Sequence, residues 1–208
     1  MTGVRPWLPN PPDGTAICLG FDGSVNNDWT GIRAQTMTGY SFTPRWGPTP
    51  DTPTIWNPRE HGDRIPHSEV DAALDEIFDR FVIARFYADP EDWTTDIERW
   101  AAKFGEEKVI EWPTNQVARM YPEIRRFEAD LREGLITHDG CPITTAHMGN
   151  AKKVGKPGQK YILAKPNENQ KIDLAMCSTL ANAAVRDAIA AGWSAPKPRA
   201  KVRVWRSS

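Results

Sequence analysis

Three aspartates stand where patterned segments begin or end. Asp22 closes the apolar run Ala16-Ile-Cys-Leu-Gly-Phe21. Asp89 follows Val82-Ile-Ala-Arg-Phe-Tyr87 and Ala88, directly before Pro90. Asp173 opens a helical pattern in Lys171-Ile-Asp-Leu-Ala-Met176. Hard divalent cations such as Mg²⁺ take oxygen ligands, commonly a few carboxylates plus substrate phosphate. Three carboxylates gathered at one edge of a sheet would suit two such ions about 4 Å apart, the arrangement that stabilises attacking and leaving oxygens in phosphodiester cleavage. Each residue also has a plain structural reading. Asp22-Gly23 is a turn dipeptide. Pro90 and Asp92 make Asp89 look like an N-cap with proline at the first helical position. Asp173 lies where an acid complements a helix dipole. Taken singly the structural readings are favoured; taken together the three suggest metal chemistry without specifying it.

Other chemistries find little support. The chain has no Gly-x-x-x-x-Gly-Lys-Ser/Thr loop, no Gly-x-Gly-x-x-Gly and no Gly-x-Ser-x-Gly elbow. Its four histidines, His61, His67, His138 and His147, lack zinc-ligand spacing. Cys18, Cys141 and Cys177 are odd in number and form no close pair, which suits free thiols in a reducing compartment.

The elements that must position the aspartates can be read from periodicity. The apolar run 16–21 predicts a buried strand, with 29–37 as its hairpin partner. Residues 43–66 carry six prolines and predict a surface excursion or irregular edge. Ser68 with Asp71 resembles a capping box, followed by Val70, Leu74, Ile77, Phe78 and Phe81 at helical spacing. A strand at 82–87, a helix carrying Trp93, Ile97, Trp100 and Phe104, and a short strand at 108–112 come next. A long helix follows over about 114–133, with Val117, Met120, Tyr121, Ile124, Phe127 and Leu131 inward. A short helix at 142–151, a strand at 161–164 and a helix over about 172–191 complete the pattern. A hairpin start followed by alternating helices and strands argues for an α/β fold, a mixed sheet flanked by helices. Trp93, Trp100 and Trp112 fall on core faces.

A length of 208 residues suits one domain able to bury its own core. No apolar run reaches membrane-span length, and the start has no apolar signal region. The net charge of −1 hides a split: residues 1–149 hold 14 basic and 24 acidic side chains, residues 150–208 hold 12 and 3. Such asymmetry hints at a polyanionic partner, although a basic tail is also simply solvated. Trp205, between Arg203 and Arg206, is a candidate for contact with DNA or a partner.

Six segments in order carry a family resemblance: Leu19-Gly-Phe-Asp-Gly-Ser24, Asn27-Asp-Trp-Thr-Gly31, Tyr87-Ala-Asp-Pro90, Glu111-Trp-Pro-Thr-Asn115, His147-Met-Gly-Asn-Ala151 and Lys171-Ile-Asp-Leu-Ala-Met176. Over about residues 13–192 the chain resembles the C-terminal nuclease domain of tailed-phage terminase large subunits. The resemblance implies a ribonuclease H-like fold and a metal-dependent DNA endonuclease that cuts concatemeric viral DNA during packaging. It implies Asp22, Asp89 and Asp173 as catalytic ligands of two Mg²⁺ or Mn²⁺ ions. Double-stranded DNA would be the substrate, other terminase or portal components the partners, and the host cytoplasm the location. Asp28 is a secondary candidate as an outer-shell ligand, or else a cap of the turn before Trp29. His147 and Asn150 match a family segment and would orient a phosphate or metal-bound water, unless His147 is a satisfied structural residue. Lys165 is a candidate for the DNA backbone, or simply solvated. The expected organisation is a linker or arm at 1–15, a nuclease domain at 16–193 and a basic tail at 194–208. With no Walker motif, the chain is expected to be the nuclease domain without the packaging ATPase. Two alternatives stand beside this reading: a resolvase-like nuclease on branched DNA, and a non-catalytic DNA-binding or assembly module.

Overall fold

Strand β1 (Ala16–Asp22) is buried on both faces, as its unbroken apolar run requires. Ile17, Leu19 and Phe21 join one core cluster and Cys18 joins another. A computed structural model describes residues 6–25, 28–47 and 52–195. The tail 196–208, with Trp205, lies outside the described residues, as do residues 1–5 of the N-terminal segment.

The further elements are β2 (Thr30–Thr36), β3 (Tyr40–Phe42), β4 (Arg45–Trp46), β5 (Thr52–Pro53), β6 (Ile55–Trp56), α1 (His67–Arg80), β7 (Val82–Ala88), α2 (Thr94–Phe104), β8 (Val109–Glu111), α3 (Val117–Arg132), β9 (Thr137–His138), α4 (Pro142–Asn150), β10 (Lys152–Lys156), β11 (Lys160–Ala164) and α5 (Asp173–Ala190). Seven strands form a mixed sheet of order β8-β7-β1-β2-β3-β9, with β6 paired to β2. β1 runs antiparallel to β2 and parallel to β7, and β7 runs parallel to β8. This is the α/β architecture with a mixed, helix-flanked sheet that the sequence pattern predicts.

On one face Val70, Leu74 and Ile77 of α1 and Ile97 and Trp100 of α2 pack with Phe21, which meets the Trp93 and Trp100 rings edge-on at 5.1 and 5.3 Å. The other face is closed by α3 and α5, with Met120, Ile124, Leu180 and Ala184 around Cys18. α5 is buried at every position from Asp173 to Val185. It lies directly on the sheet because the strands carry glycine beneath it. A Cβ on Gly20 would fall 2.1 Å from the Cys177 carbonyl oxygen, and one on Gly31 would fall 2.2 Å from a Leu174 methyl. A buried ion pair, Arg33 to Asp139 at 3.2 Å, ties β2 to the turn after β9. Asp139 also accepts from the Thr43 and Cys141 amides and from Trp7 Nε1, fixing residues 6–15 against the domain.

Several local expectations change. α1 begins at His67 with Pro66 as its cap residue and no side-chain cap, so Ser68 and Asp71 form no capping box. Asp71 accepts from Arg99 and Trp100 Nε1 of α2 instead, both at 2.7 Å, which holds the two helices together. The proline-rich segment is an irregular edge rather than a surface excursion, because Thr54, Trp56 and Ile65 are buried. Leu131 faces outward near the end of α3, at 41% exposure. The strand at 160–164 has a partner in β10, whose Lys152-Lys-Val-Gly-Lys156 is largely exposed and so lacks apolar alternation. Among the described residues no helix is long and apolar enough to cross a membrane.

The Gly20 contact is with backbone atoms, which cannot swing aside. Gly20→Ala is therefore expected to destabilise the protein by about 1–3 kcal/mol in urea unfolding. A substitution on an open glycine such as Gly149, which has no neighbour within 4 Å, provides the comparison.

Candidate metal centre

Parity and register bring two carboxylates together. Along β1 alternate side chains share a face, so Asp22 lies on the α5 side with Cys18 and Gly20. β7 pairs in parallel with Ala88 opposite Phe21, and the Asp89 amide donates to the Phe21 carbonyl at 3.1 Å. Asp89 thus stands beside Asp22 at the same end of adjacent strands, where its charge helps to raise the Asp22 carboxyl. The third acid arrives by the path of α5. Leu174 packs on Gly31, the strand partner of Asp22, and Cys177 Sγ lies 3.2 Å from the Gly31 carbonyl. The helix start, Asp173, therefore falls at this end of the sheet.

The plain readings of these residues fare unequally. Asp89 caps no helix: α2 begins five residues later at Thr94, after a turn in which Asp92 has φ of 62°. The Asp89 carboxylate instead accepts from the Thr114 amide and hydroxyl. Asp173 does occupy the first turn of α5, yet its Oδ2 is buried with no hydrogen-bond partner.

The electrostatics match crowded acids. Burial, and then the charges of Asp173 and Asp89, push the Asp22 carboxyl well above the ordinary range. Burial pushes Asp173 up to about 6, with Asp28 adding to the rise against a favourable backbone hydrogen bond and nearby lysines. The His147 ring lies 3.8 Å from the orphaned Asp173 oxygen through Nδ1. That nitrogen accepts from the Leu174 amide at 3.2 Å, so it has no proton to offer the carboxylate. Burial and then Lys171 lower the His147 pKa to about 4, keeping the imidazole neutral at pH 7. Hard oxygen donors, mutual repulsion and an unpartnered buried oxygen are features a divalent cation would offset. Among the described residues, however, no three His, Cys, Asp or Glu side chains are gathered closely enough to hold a metal ion as they stand. The corner is a carboxylate pair with a third acid coupled to it through space.

The secondary candidates are engaged with one another. Lys165 at 2.9 Å and Lys171 grip the Asp28 carboxylate. Burial raises the Asp28 pKa, but these two lysines prevail and hold it below the ordinary range. Before Trp29, Thr30 Oγ1 accepts from the Ser24 amide and donates to the Ser24 carbonyl. Lys165 also pairs with Glu168 at 2.8 Å. Asn150 donates to the Lys171 carbonyl at 2.9 Å and so steadies the approach to α5. Thr114 and Lys171 escaped the sequence reading. Both lie inside the quoted motif segments, but an uncharged threonine and a solvated lysine give no signal until their partners are known.

The architecture is that of the nuclease domains of phage large terminases. The large terminase nuclease from thermophilic phage G20c, in its structure with bound magnesium, superposes with a TM-score of 0.62 at 13% identity, over 86% of this chain and 93% of that one. The HK97 bacteriophage large terminase gives a TM-score of 0.61 at 18% identity, over 86% of this chain and 40% of that one. In sequence, the chain is 31% identical over 186 residues to the Gene 13 protein of Mycobacterium phage D29, covering 84% of this chain. It spans 30% of that relative's length. No family model matches.

Asp173 gives a pH test. Between 3.8 and about 6 the unfolded chain releases the proton before the folded chain does. Stability therefore falls as pH rises through that window. In EDTA, Asp173→Asn is expected to be more stable than the parent at pH 7.5, by up to about 3 kcal/mol. The gain should shrink towards pH 4. Thermal unfolding at the two pH values reads the difference, and a gain independent of pH would contradict it.

Proposed function

We propose that this chain is a divalent-metal-dependent DNA endonuclease of the terminase type, cutting concatemeric double-stranded viral DNA during packaging in the host cytoplasm. The observation that carries the proposal is the placement of Asp22 and Asp89 side by side at the ends of parallel strands, with the buried, unpartnered oxygen of Asp173 at the start of the crossing helix. The shared fold with large terminase nuclease domains supports it, as does the magnesium bound in the G20c nuclease. The packaging role and its partners, other terminase or portal components, are proposed by analogy with relatives much longer than this chain.

In this reading Asp22, Asp89 and Asp173 hold two Mg²⁺ or Mn²⁺ ions. Bound there, the ions would supply positive charge to the scissile phosphate and activate the attacking water. The protein's own residues set the geometry. Thr114 fixes the rotamer of Asp89 through two hydrogen bonds. Gly20 and Gly31 let α5 come close enough to present Asp173. Neutral His147 accepts the Leu174 amide and so orients the first turn of α5. Lys165 and Lys171 neutralise Asp28, limiting the negative charge that a phosphate would meet beside the corner. The exposed Lys152 of β10, with the lysines that follow it on the β10–β11 ribbon, adds basic surface for the DNA backbone.

Plasmid nicking with Mn²⁺ is the test. Asp22→Asn, Asp89→Asn and Asp173→Asn should each abolish it, and Thr114→Val should slow it by about 10- to 100-fold. Activity surviving all three aspartate substitutions would remove the proposal. Preference for a four-way junction over linear duplex would favour the resolvase-like alternative.

A further inference from the structure

A cleft of about 990 Å³ opens beside the carboxylate corner. Its walls come from Trp29 before β2, the turn carrying Asn57 and Arg59, the α4 residues His147 and Asn150, and Lys171 before α5. It begins one side chain from the proposed catalytic acids: His147 is 3.8 Å from Asp173, and Lys171 precedes Asp173 by two residues.

Trp29 differs from the core tryptophans. Trp93 stacks on His67 at 4.0 Å and Trp112 on Tyr87 at 4.1 Å, and both are buried. Trp29 is half-exposed, and its described ring contact is the T-shaped approach of His147, at 5.3 Å and 66°. No described ring stacks on it. Arg59, which lines the same cleft, is exposed and pairs with no acid among the described residues. The lining as a whole is close to neutral, since Asp63 and Glu168 oppose Arg59 and Lys171. Cationic side chains hold the phosphates of duplex and single strand alike, whereas stacking on an aromatic face is open only to an unpaired base. A concave cleft that offers an indole with no stacked ring and a guanidinium with no acidic partner among the described residues suits an unpaired base and its phosphate.

We propose that this cleft receives an unpaired nucleotide of the substrate strand flanking the cleavage point, its base stacked on Trp29 and its phosphate held by Arg59. The assignment rests on the nuclease reading above. It implies that the enzyme holds locally melted DNA next to the carboxylates, rather than an undisturbed duplex.

Binding of a fluorescein-labelled 12-nucleotide single strand and of the matching duplex, followed by anisotropy in EDTA, tests this without cleavage. Trp29→Ala should weaken single-strand binding about 10-fold. Trp29→Phe, which keeps an aromatic face, should stay within about 3-fold of the parent. Duplex binding should change by less than about 2-fold in both. Arg59→Ala, at an exposed position safe for folding, should lower the salt slope of single-strand binding by about 0.7. The arginine variant decides the matter if Trp29→Ala fails to fold. Parent-like single-strand binding by Trp29→Ala, equal losses on single strand and duplex, an unchanged slope in Arg59→Ala, or a parent protein that binds no single strand would each overturn the assignment. The two readings fail separately. Nicking by the aspartate variants would remove the nuclease but leave the anisotropy result standing. Unchanged anisotropy would remove the cleft ligand and leave the nuclease.

Discussion

At Gly20 a side chain of even one carbon would collide with the backbone of α5 at Cys177 and Ala181. That close approach of a helix to the central strand governs the rest. It sets the height of α5 over β1, lets Leu174 rest on Gly31, and delivers Asp173 to the strand ends where Asp22 and Asp89 already stand. The helix is buried from Asp173 to Val185, so packing along its length holds its position, and the His147 bond to the Leu174 amide trims its first turn. Precision at the carboxylates is thus inherited from glycine and apolar surface several residues away.

The same arrangement carries a cost. Asp22 and Asp173 are both pushed upward by burial, and further by neighbouring acids: Asp173 and Asp89 for the first, Asp28 for the second. A fold selected for stability alone would not bury Asp22 beside two further acids whose charges both disfavour its ionisation. The surrounding residues limit the strain without removing it. Thr114 satisfies Asp89, two lysines satisfy Asp28, and His147 stays neutral so that it neither pairs with Asp173 nor fixes it. One buried oxygen of Asp173 remains without a partner. A divalent cation is the physical agent that would turn this unfavourable crowding into binding energy.

Much of the architecture was legible because it follows from periodicity. The unbroken apolar run of β1, the helical spacing from Val70 and the buried length of α5 each allow one solution. Elements that depend on partners were not legible. β10 is exposed and shows no alternation, β3 and β9 are too short for a period, and the start of α1 turns on Pro66 rather than on Ser68. At the site, aspartates at element ends were visible as candidates, and the family resemblance of the segments around them pointed to three. Their supports were hidden: Thr114 has no charge to draw attention, and the meaning of Lys171 depends on Asp28, which is 143 residues away in the chain. Nor could sequence separate Trp29 from the core tryptophans, because what distinguishes it is its partial exposure and the lack of a stacked ring among the described residues.

Asp22, Asp89 and Asp173 are proposed to form one cation-binding corner. Crystals soaked in Mn²⁺ and measured at the manganese absorption edge test it most directly. Two anomalous peaks about 4 Å apart, with oxygens of all three aspartates at roughly 2.1–2.2 Å, are the predicted result. Fully soaked crystals with no peak at these carboxylates, or with manganese bound elsewhere and Asp173 still uncoordinated, would contradict it.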